Sequence, residues 1–241
     1  MIDYSYRTKF EKHVVKLLDL YDLFPFHKHP LWSAIINKQL TKEQVVKAEA
    51  QHYLRTKAGQ VLRHDAMVQS ASVSEVIWKA IIETYFEECT DNDGTPNHLE
   101  YIKRLIIEGG MSEREIENLR NTPGNIAAIA LYKIIGERGP GCHVVGAGMV
   151  EYFYAQLSPH IFRSYVDNYG FTPYAVETYE IHGVMDQTHA ERALTAIDEA
   201  VNLHGWEEVE DSVRDAFVAT SLHYDGMLQA ALGENNYWNG K

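Results

Sequence analysis

His182, Asp186 and His189 stand at positions i, i+4 and i+7 of the segment His182-Gly-Val-Met-Asp186-Gln-Thr-His189. On a helix, at about 100° per residue, the three side chains fall within roughly 60° of one another and form a single stripe. Two neutral imidazoles and a carboxylate suit a first-row transition metal such as iron, manganese or zinc. The plain alternative is a polar helix face that happens to carry two histidines. Donors elsewhere in the chain bear on that choice.

A dimetal site that activates oxygen needs more than three ligands, and each metal must keep a position free for a reactant. Glu151 lies in the mostly apolar segment Val144–Tyr154, where a lone carboxylate is costly unless paired or metal-bound. Gly148 and Ala147 stand three and four residues before it, so the face beside it is open to a small reactant, unless these residues serve close helix packing. Upstream, Glu88 ends one helical pattern and His98 opens the next, with the break Asp91–Pro96 between them. A carboxylate on a last turn and an imidazole just past the break can meet at one metal. Glu49-Ala-Gln-His52 is the one Glu-x-x-His match. A ferritin-like site needs two such motifs, so Glu49 and His52 read as supporting or pocket residues, not ligands. No His-Glu-x-x-His zinc motif is present, and no glycine-rich phosphate loop follows a strand.

The elements that must hold these residues are helical throughout. Helix patterns fall near 4–20, 41–70, 73–90, 97–109, 112–119, 123–136, 142–157, 159–168, 173–203 and 206–231. Thr41 with Gln44, Ser72 with Glu75, and Ser112 with Glu115 read as capping boxes. Ser158-Pro159 and Thr172-Pro173 carry the N-cap and first-turn proline pattern. No break is long enough for a linker, and no repeat is evident, so residues 1–241 read as one all-α domain. The tail from Glu234 to Lys241 reads as loosely held.

Composition sets the outer bounds. The 241 residues are 45% hydrophobic, enough for a sizeable core, and 34 acidic against 22 basic residues give a formal charge of −12. That balance argues against a nucleic-acid or anionic-lipid surface. No apolar signal core opens the chain and no apolar run spans a bilayer, so the expectation is a soluble, cytoplasmic protein without a membrane partner. Cys89 and Cys142 are too few for a disulfide framework and fit a reducing compartment.

A Glu-Glu pair followed ten residues later by His, a lone Glu in a small-residue helix, and His-x3-Asp-x2-His some thirty residues on resemble the haem-oxygenase-like diiron oxidases and oxygenases. The resemblance runs from about His29 to Leu228. It implies a haem-oxygenase-like helical bundle with a seven-helix core and no haem, shared with thiaminase-like and pyrroloquinoline-quinone-synthesis proteins. Carried over by residue, it implies Glu88, His98, Glu151, His182, Asp186 and His189 as ligands of two Fe(II) ions, with Glu151 as the bridging carboxylate, and O2 as co-substrate. Glu151 and Asp186 would then stand closest to the chemistry. A homodimer and an external electron donor are further implications.

The family's branches decarboxylate fatty acids to alkenes, fragment amino acids, N-oxygenate amines and convert tryptophan-type amino acids to nitriles. Tyr53, Phe86, Tyr152, Phe153 and Tyr179 are candidates for an aromatic pocket lining, and Asp225 for pairing with a substrate amine. The expected substrate is therefore a small aromatic amino acid, oxidised at its amino-bearing end in biosynthesis, with the nitrile-forming branch as the nearest analogue. Two other classes stand beside this one: a metal-free thiaminase-like hydrolase using Cys142, and a non-catalytic metal or ligand carrier. Cys142 precedes His143, but helix neighbours point to different faces, which makes a direct pair poor.

Overall fold

The computed structural model describes residues 2–91 and 94–233. Twelve α-helices occupy most of that span: α1 (Tyr6–Lys9), α2 (Lys12–Asp19), α3 (Pro30–Ile36), α4 (Lys42–Ser70), α5 (Glu75–Cys89), α6 (His98–Glu108), α7 (Glu113–Glu117), α8 (Pro123–Arg138), α9 (Pro140–Tyr169), α10 (Glu177–Thr195), α11 (Ile197–His204) and α12 (Trp206–Leu232). Seven of them (α4, α5, α6, α8, α9, α10 and α12) run eleven residues or longer. The Glu234–Lys241 tail lies outside the described residues. No helix among those described is long and apolar enough to cross a membrane.

Local chemistry sets most helix starts. Thr41 and Ser112 form reciprocal capping boxes with Gln44 and Glu115. The third expected box is displaced: Ser74, not Ser72, caps α5, accepting from the Ile77 amide and donating to Glu199. The 4–20 pattern breaks into α1 and α2 at Phe10 and Glu11. Helix α3 has no counterpart in the periodicity. It begins at Pro30, and His29 Nδ1 caps it by accepting from the Leu31 amide.

Two expected boundaries move for a packing reason. Proline removes a backbone donor and crowds the preceding turn, so Ser158-Pro159 reads as a fresh start, yet α9 runs straight through it from Pro140 to Tyr169. The Pro159 ring is housed against Gly183 of α10, where a Cβ would sit 3.1 Å from Pro159 Cγ. Ser158 Oγ donates to the Tyr179 carbonyl and ties the same two helices together. Downstream, Thr172-Pro173 starts a turn rather than a helix. Thr172 is held by Glu108 through its amide and hydroxyl, and α10 begins only at Glu177. The expected 173–203 helix is further divided at Ala196 into α10 and α11.

Helix α9 is the axis of the bundle and packs against α3, α4, α5, α8, α10, α11 and α12. Phe153, on its inner face, stacks on Tyr21 at 3.7 Å between ring centroids and meets Phe217 edge-on at 5.8 Å. This aromatic layer seals one side of the bundle. The polar layer lies further round α9, where α4, α5, α6 and α10 converge.

Candidate metal centre

The α10 stripe forms as its spacing predicts. His182, Asp186 and His189 are 8%, 1% and 2% exposed. His182 Nδ1 lies 2.7 Å from Asp186 Oδ1, and the same oxygen is 3.8 Å from His189 Nδ1. Glu88 reaches them from the last turn of α5, with Oε2 accepting from His98 Nδ1 at 2.6 Å and Oε1 at 3.9 Å from His189 Nδ1. His98 is aimed by the loop before α6: Asp91 Oδ1 accepts from both the amide and Nδ2 of Asn97, the residue that caps α6. From α9, Glu151 Oε2 stands 3.7 Å from His189 Nδ1. The structure thus brings all six sequence-derived candidates to one place.

Three residues that shape this site carry no signal in the ligand spacing. Arg63 of α4 bridges the two glutamates, with its guanidinium 3.3 Å from Glu88 and 3.2 Å from Glu151. Glu87 accepts from His189 Nε2 at 2.9 Å and is itself held by Arg192 at 2.6 and 2.9 Å. An imidazole that donates from Nε2 presents a bare lone pair at Nδ1. Among the described residues that Nδ1 has no hydrogen-bond partner, and neither has Asp186 Oδ2. It faces oxygens of Glu88, Asp186 and Glu151 at 3.7 to 3.9 Å. A lone pair among three carboxylates is repulsive, and a cation at that nitrogen, whether a proton or a metal ion, relieves it.

The other edge of the site holds a proton where a second cation fits. His98 Nε2 and His182 Nε2 are 3.0 Å apart, so one must donate to the other. Burial pulls His182 down, but the charge and hydrogen bond of Asp186, with Glu88 behind them, carry it up to about 9. Burial takes His98 down to about 4 against the opposing pull of Glu88. His182 is therefore the imidazolium and donates at both nitrogens, while neutral His98 accepts at Nε2 and donates from Nδ1 to Glu88. Burial raises the Glu88 carboxyl, but His98 and Arg63 outweigh it and hold Glu88 well below the usual range. Burial raises Glu151, with Arg63 only partly offsetting it.

Donor atoms of Glu88, His98 and His182 lie within 4.8 Å of one another, as do those of Glu88, Asp186 and His189. Glu88 is common to both sets. Glu151, expected in the shared position, approaches from the His189 side, and Arg63 engages its other oxygen. The donor chemistry, three carboxylates and three imidazoles with two buried atoms left unpartnered, fits a pair of hard-to-borderline cations.

A cavity of about 110 Å³ opens from the cluster, lined by Glu88, Glu151, His98, His182 and Asp186 at one part and by Trp32, Tyr132, Tyr154 and Tyr224 elsewhere. Its aromatic walls are not the expected ones. Tyr152 packs edge-on against Tyr6, and Phe153 is core against Tyr21. The Tyr179 hydroxyl is spent on Glu49. Tyr53 is only part-buried and stands off the cavity, and Phe86 is 50% exposed. Asp225 faces solvent and pairs with His29 at 3.1 Å. Aromatic residues at helical spacing are more often core than pocket, and only the crossing of α3, α8, α9 and α12 decides which four face inward.

Other expectations resolve in the same region. Gly148 does not leave an open face beside Glu151, because a Cβ there would meet Ala193 Cβ at 2.0 Å; the glycine lets α9 and α10 close up. Ala147 keeps some of the expected openness, lining both the main cavity and a second of about 30 Å³ against Glu151 and His189. Cys142 is fully buried, off both cavities, and its thiol is pushed up by burial. It has neither the access nor the acidity of a nucleophile.

Helical order and topology define an all-α haem-oxygenase-like fold. A domain of unknown function with that fold from Shewanella denitrificans superposes with a TM-score of 0.70 at 15% identity, covering 99% of each chain. A CADD-like protein of unknown function from Nostoc punctiforme gives 0.74 at 13%, covering 95% of this chain and 100% of its own. A TenA homolog from Pseudomonas syringae pv. tomato gives 0.71 at 11%, with 92% and 95% covered. No curated protein matches the sequence. The family described as iron-containing redox enzyme matches residues 50–224, a span that holds the whole cluster, and the chain belongs to that family.

Proposed function

We propose that this protein is a non-haem diiron enzyme that uses O2 to oxidise a small amino-acid-like aromatic substrate. One observation carries the reading: the unpartnered His189 Nδ1 among Glu88, Asp186 and Glu151, a buried arrangement that a metal cation completes. One iron would be held by Glu88, His98 and His182, and the other by Glu88, Asp186, His189 and Glu151. Ferrous iron, when bound, supplies the electrons that reduce dioxygen.

The chain's own residues do the remaining work. Glu87 fixes His189 in the tautomer whose Nδ1 is a ligand, and Arg192 fixes Glu87. Arg63 bridges Glu88 and Glu151 and favours the ionised form of each. His182 would hold a metal only as the neutral imidazole, so it would have to give up the proton it carries in the metal-free protein. The 30 Å³ cavity, walled by Ala80, Ile81, Val144, Ala147 and Ala193, suits a diatomic gas, being about the size that admits one or two small molecules. The larger cavity takes the organic substrate, and its aromatic walls favour an aromatic body. Conversion of a tryptophan-type amino acid to a nitrile, by a homodimer in a biosynthetic setting, is the finer form of this reading.

The test is anaerobic loading with ferrous iron, plasma-mass-spectrometric metal analysis, and oxygen-electrode measurement with L-tryptophan. About two irons per chain and substrate-stimulated oxygen uptake are expected. Loaded protein that holds less than about half an iron per chain overturns the reading. Turnover of a substrate with no dependence on iron would establish a hydrolase instead.

A further inference from the structure

The charge on α4 is distributed in a way that the metal centre does not explain. Arg55, Gly59 and Arg63 are spaced i, i+4 and i+8, one stripe facing the cavity, with about 12 Å of helix between the two arginines. Arg63 is neutralised by Glu88 and Glu151. Arg55 is not: the described residues offer it no carboxylate within ion-pair distance and no hydrogen-bond acceptor, only the Tyr132 ring 5.1 Å from its guanidinium carbon. A part-buried guanidinium without an anion is uncommon in a chain with twelve more acids than bases. Gly59 between them leaves open space where a side chain would project.

Two further donors on the same cavity are also left over. Trp32 is 1% exposed and Thr56 is 7% exposed, and neither Trp32 Nε1 nor Thr56 Oγ1 has a partner among the described residues. A buried donor without an acceptor costs about 1–3 kcal/mol, and here the indole N–H, the hydroxyl and the guanidinium belong to residues that line one chamber. Some neighbouring polar groups are already spent, although His143 Nδ1 is not. Tyr132 and Thr220 bond to each other at 3.2 Å, and His223 bonds to Asn125 at 2.8 Å. What the chamber lacks is an acceptor with negative charge.

We infer that Arg55, with the Trp32 indole N–H and the Thr56 hydroxyl, binds the carboxylate of the organic substrate. The inference rests on the reading of this cavity as the substrate chamber of a diiron oxidase, and it assigns the residues that hold the acid group of that substrate. The planar guanidinium fork matches a carboxylate bidentately, which a lysine at the same place would not. The acid group is then a handle held away from the Glu–His cluster, not a ligand of the metals. Specificity follows from the same geometry, because an amine of equal shape leaves three donors unmatched.

The experiment uses iron-loaded, anaerobic protein and three indoles of similar body: indole-3-propionate, L-tryptophan and tryptamine, titrated calorimetrically. The wild type should bind both acids at least about tenfold more tightly than the amine. Arg55→Gln should lose that preference, with tryptamine affinity within about twofold of wild type, and Arg55→Lys should keep only part of it. Iron content and melting temperature should stay unchanged in both variants, since Arg55 touches no proposed ligand. A preference for acids that survives in Arg55→Gln overturns the assignment while leaving the diiron reading intact. If no indole binds the loaded wild type, the aromatic-substrate reading falls, and the Arg55 assignment with it.

Discussion

Two buried carboxylate networks lie side by side in this bundle, and they are built on opposite rules. Glu49 is completely buried, and every side chain around it donates: the Tyr165 and Tyr179 hydroxyls to one oxygen, and His52 Nδ1 to the other at 3.1 Å. Its neighbour, the Glu88–Glu151–Asp186 group, is left short of donors, with a bare imidazole nitrogen pointing into it. His52 connects the two, its ring 5.8 Å from that of His98. A network with all its bonds made rigidifies a core, whereas one with bonds missing waits for a ligand. The contrast separates two glutamate–histidine motifs that look alike as residue types.

The sharpest way to break the comparison is to remove a donor from the open network. His189→Ala should weaken iron binding at one site by two orders of magnitude or more and stop oxygen uptake, while the fold, read by circular dichroism, persists. Full iron occupancy in that variant would mean that the open network is merely a polar core. A smaller effect is expected one shell out. Glu87→Gln leaves His189 in place but weakens the acceptor that fixes its tautomer, and iron affinity, measured by competition with a chelator, should fall about 10- to 100-fold. No change in affinity would show that Arg192 and Glu87 only brace the surface of α5 and α10.

The sequence carried the open network further than the closed one, for a reason rooted in geometry. His182, Asp186 and His189 sit on one helix, so periodicity alone puts them on one face. Glu88 and His98 are joined by a short break that the chain must turn through. Both relations are local and therefore legible. Arg63, Glu87, Tyr154 and Trp32 reach the site only through how α3, α4, α5, α9 and α10 cross, and crossing angles leave no mark on spacing. The pocket residues failed for the same reason, since Phe153 and Tyr179 have the right composition on the wrong side of their helices. Fold class survived because it needs only helix patterns and short connections. The exact helix limits did not, at Pro159 above all, because Gly183 lies 24 residues away in sequence and accommodates the proline ring.

The closed network makes the converse prediction. Glu49→Gln keeps the size of the side chain but removes the charge that two tyrosines and His52 are arranged around. Stability should fall by about 1–3 kcal/mol, the usual cost of leaving a buried hydrogen-bonding partner unsatisfied, as measured by urea unfolding of the metal-free protein. Iron stoichiometry should remain that of the wild type. An iron loss equal to that of His189→Ala would place Glu49 among the ligands and erase the distinction between the two networks.

The smallest expected effect comes from His143, on α9 between the two arginines' fields. Its ring is buried, and Nδ1 has no partner. Burial, with Arg63 and Arg55 facing it from α4, takes it down to about 4. The folded protein therefore refuses a proton that the unfolded chain accepts below about pH 6.5. Stability contributed by the neutral ring is complete above that value and drains away as pH falls toward 4. Between pH 6.5 and 5 the loss from this one group should be about 2 kcal/mol. His143→Phe removes the titration, so the wild type should lose about 2 kcal/mol more than the variant over that interval in urea unfolding of metal-free protein. Equal slopes would mean that His143 finds a proton acceptor at low pH, and that the cationic face of α4 is better compensated than its neighbours suggest.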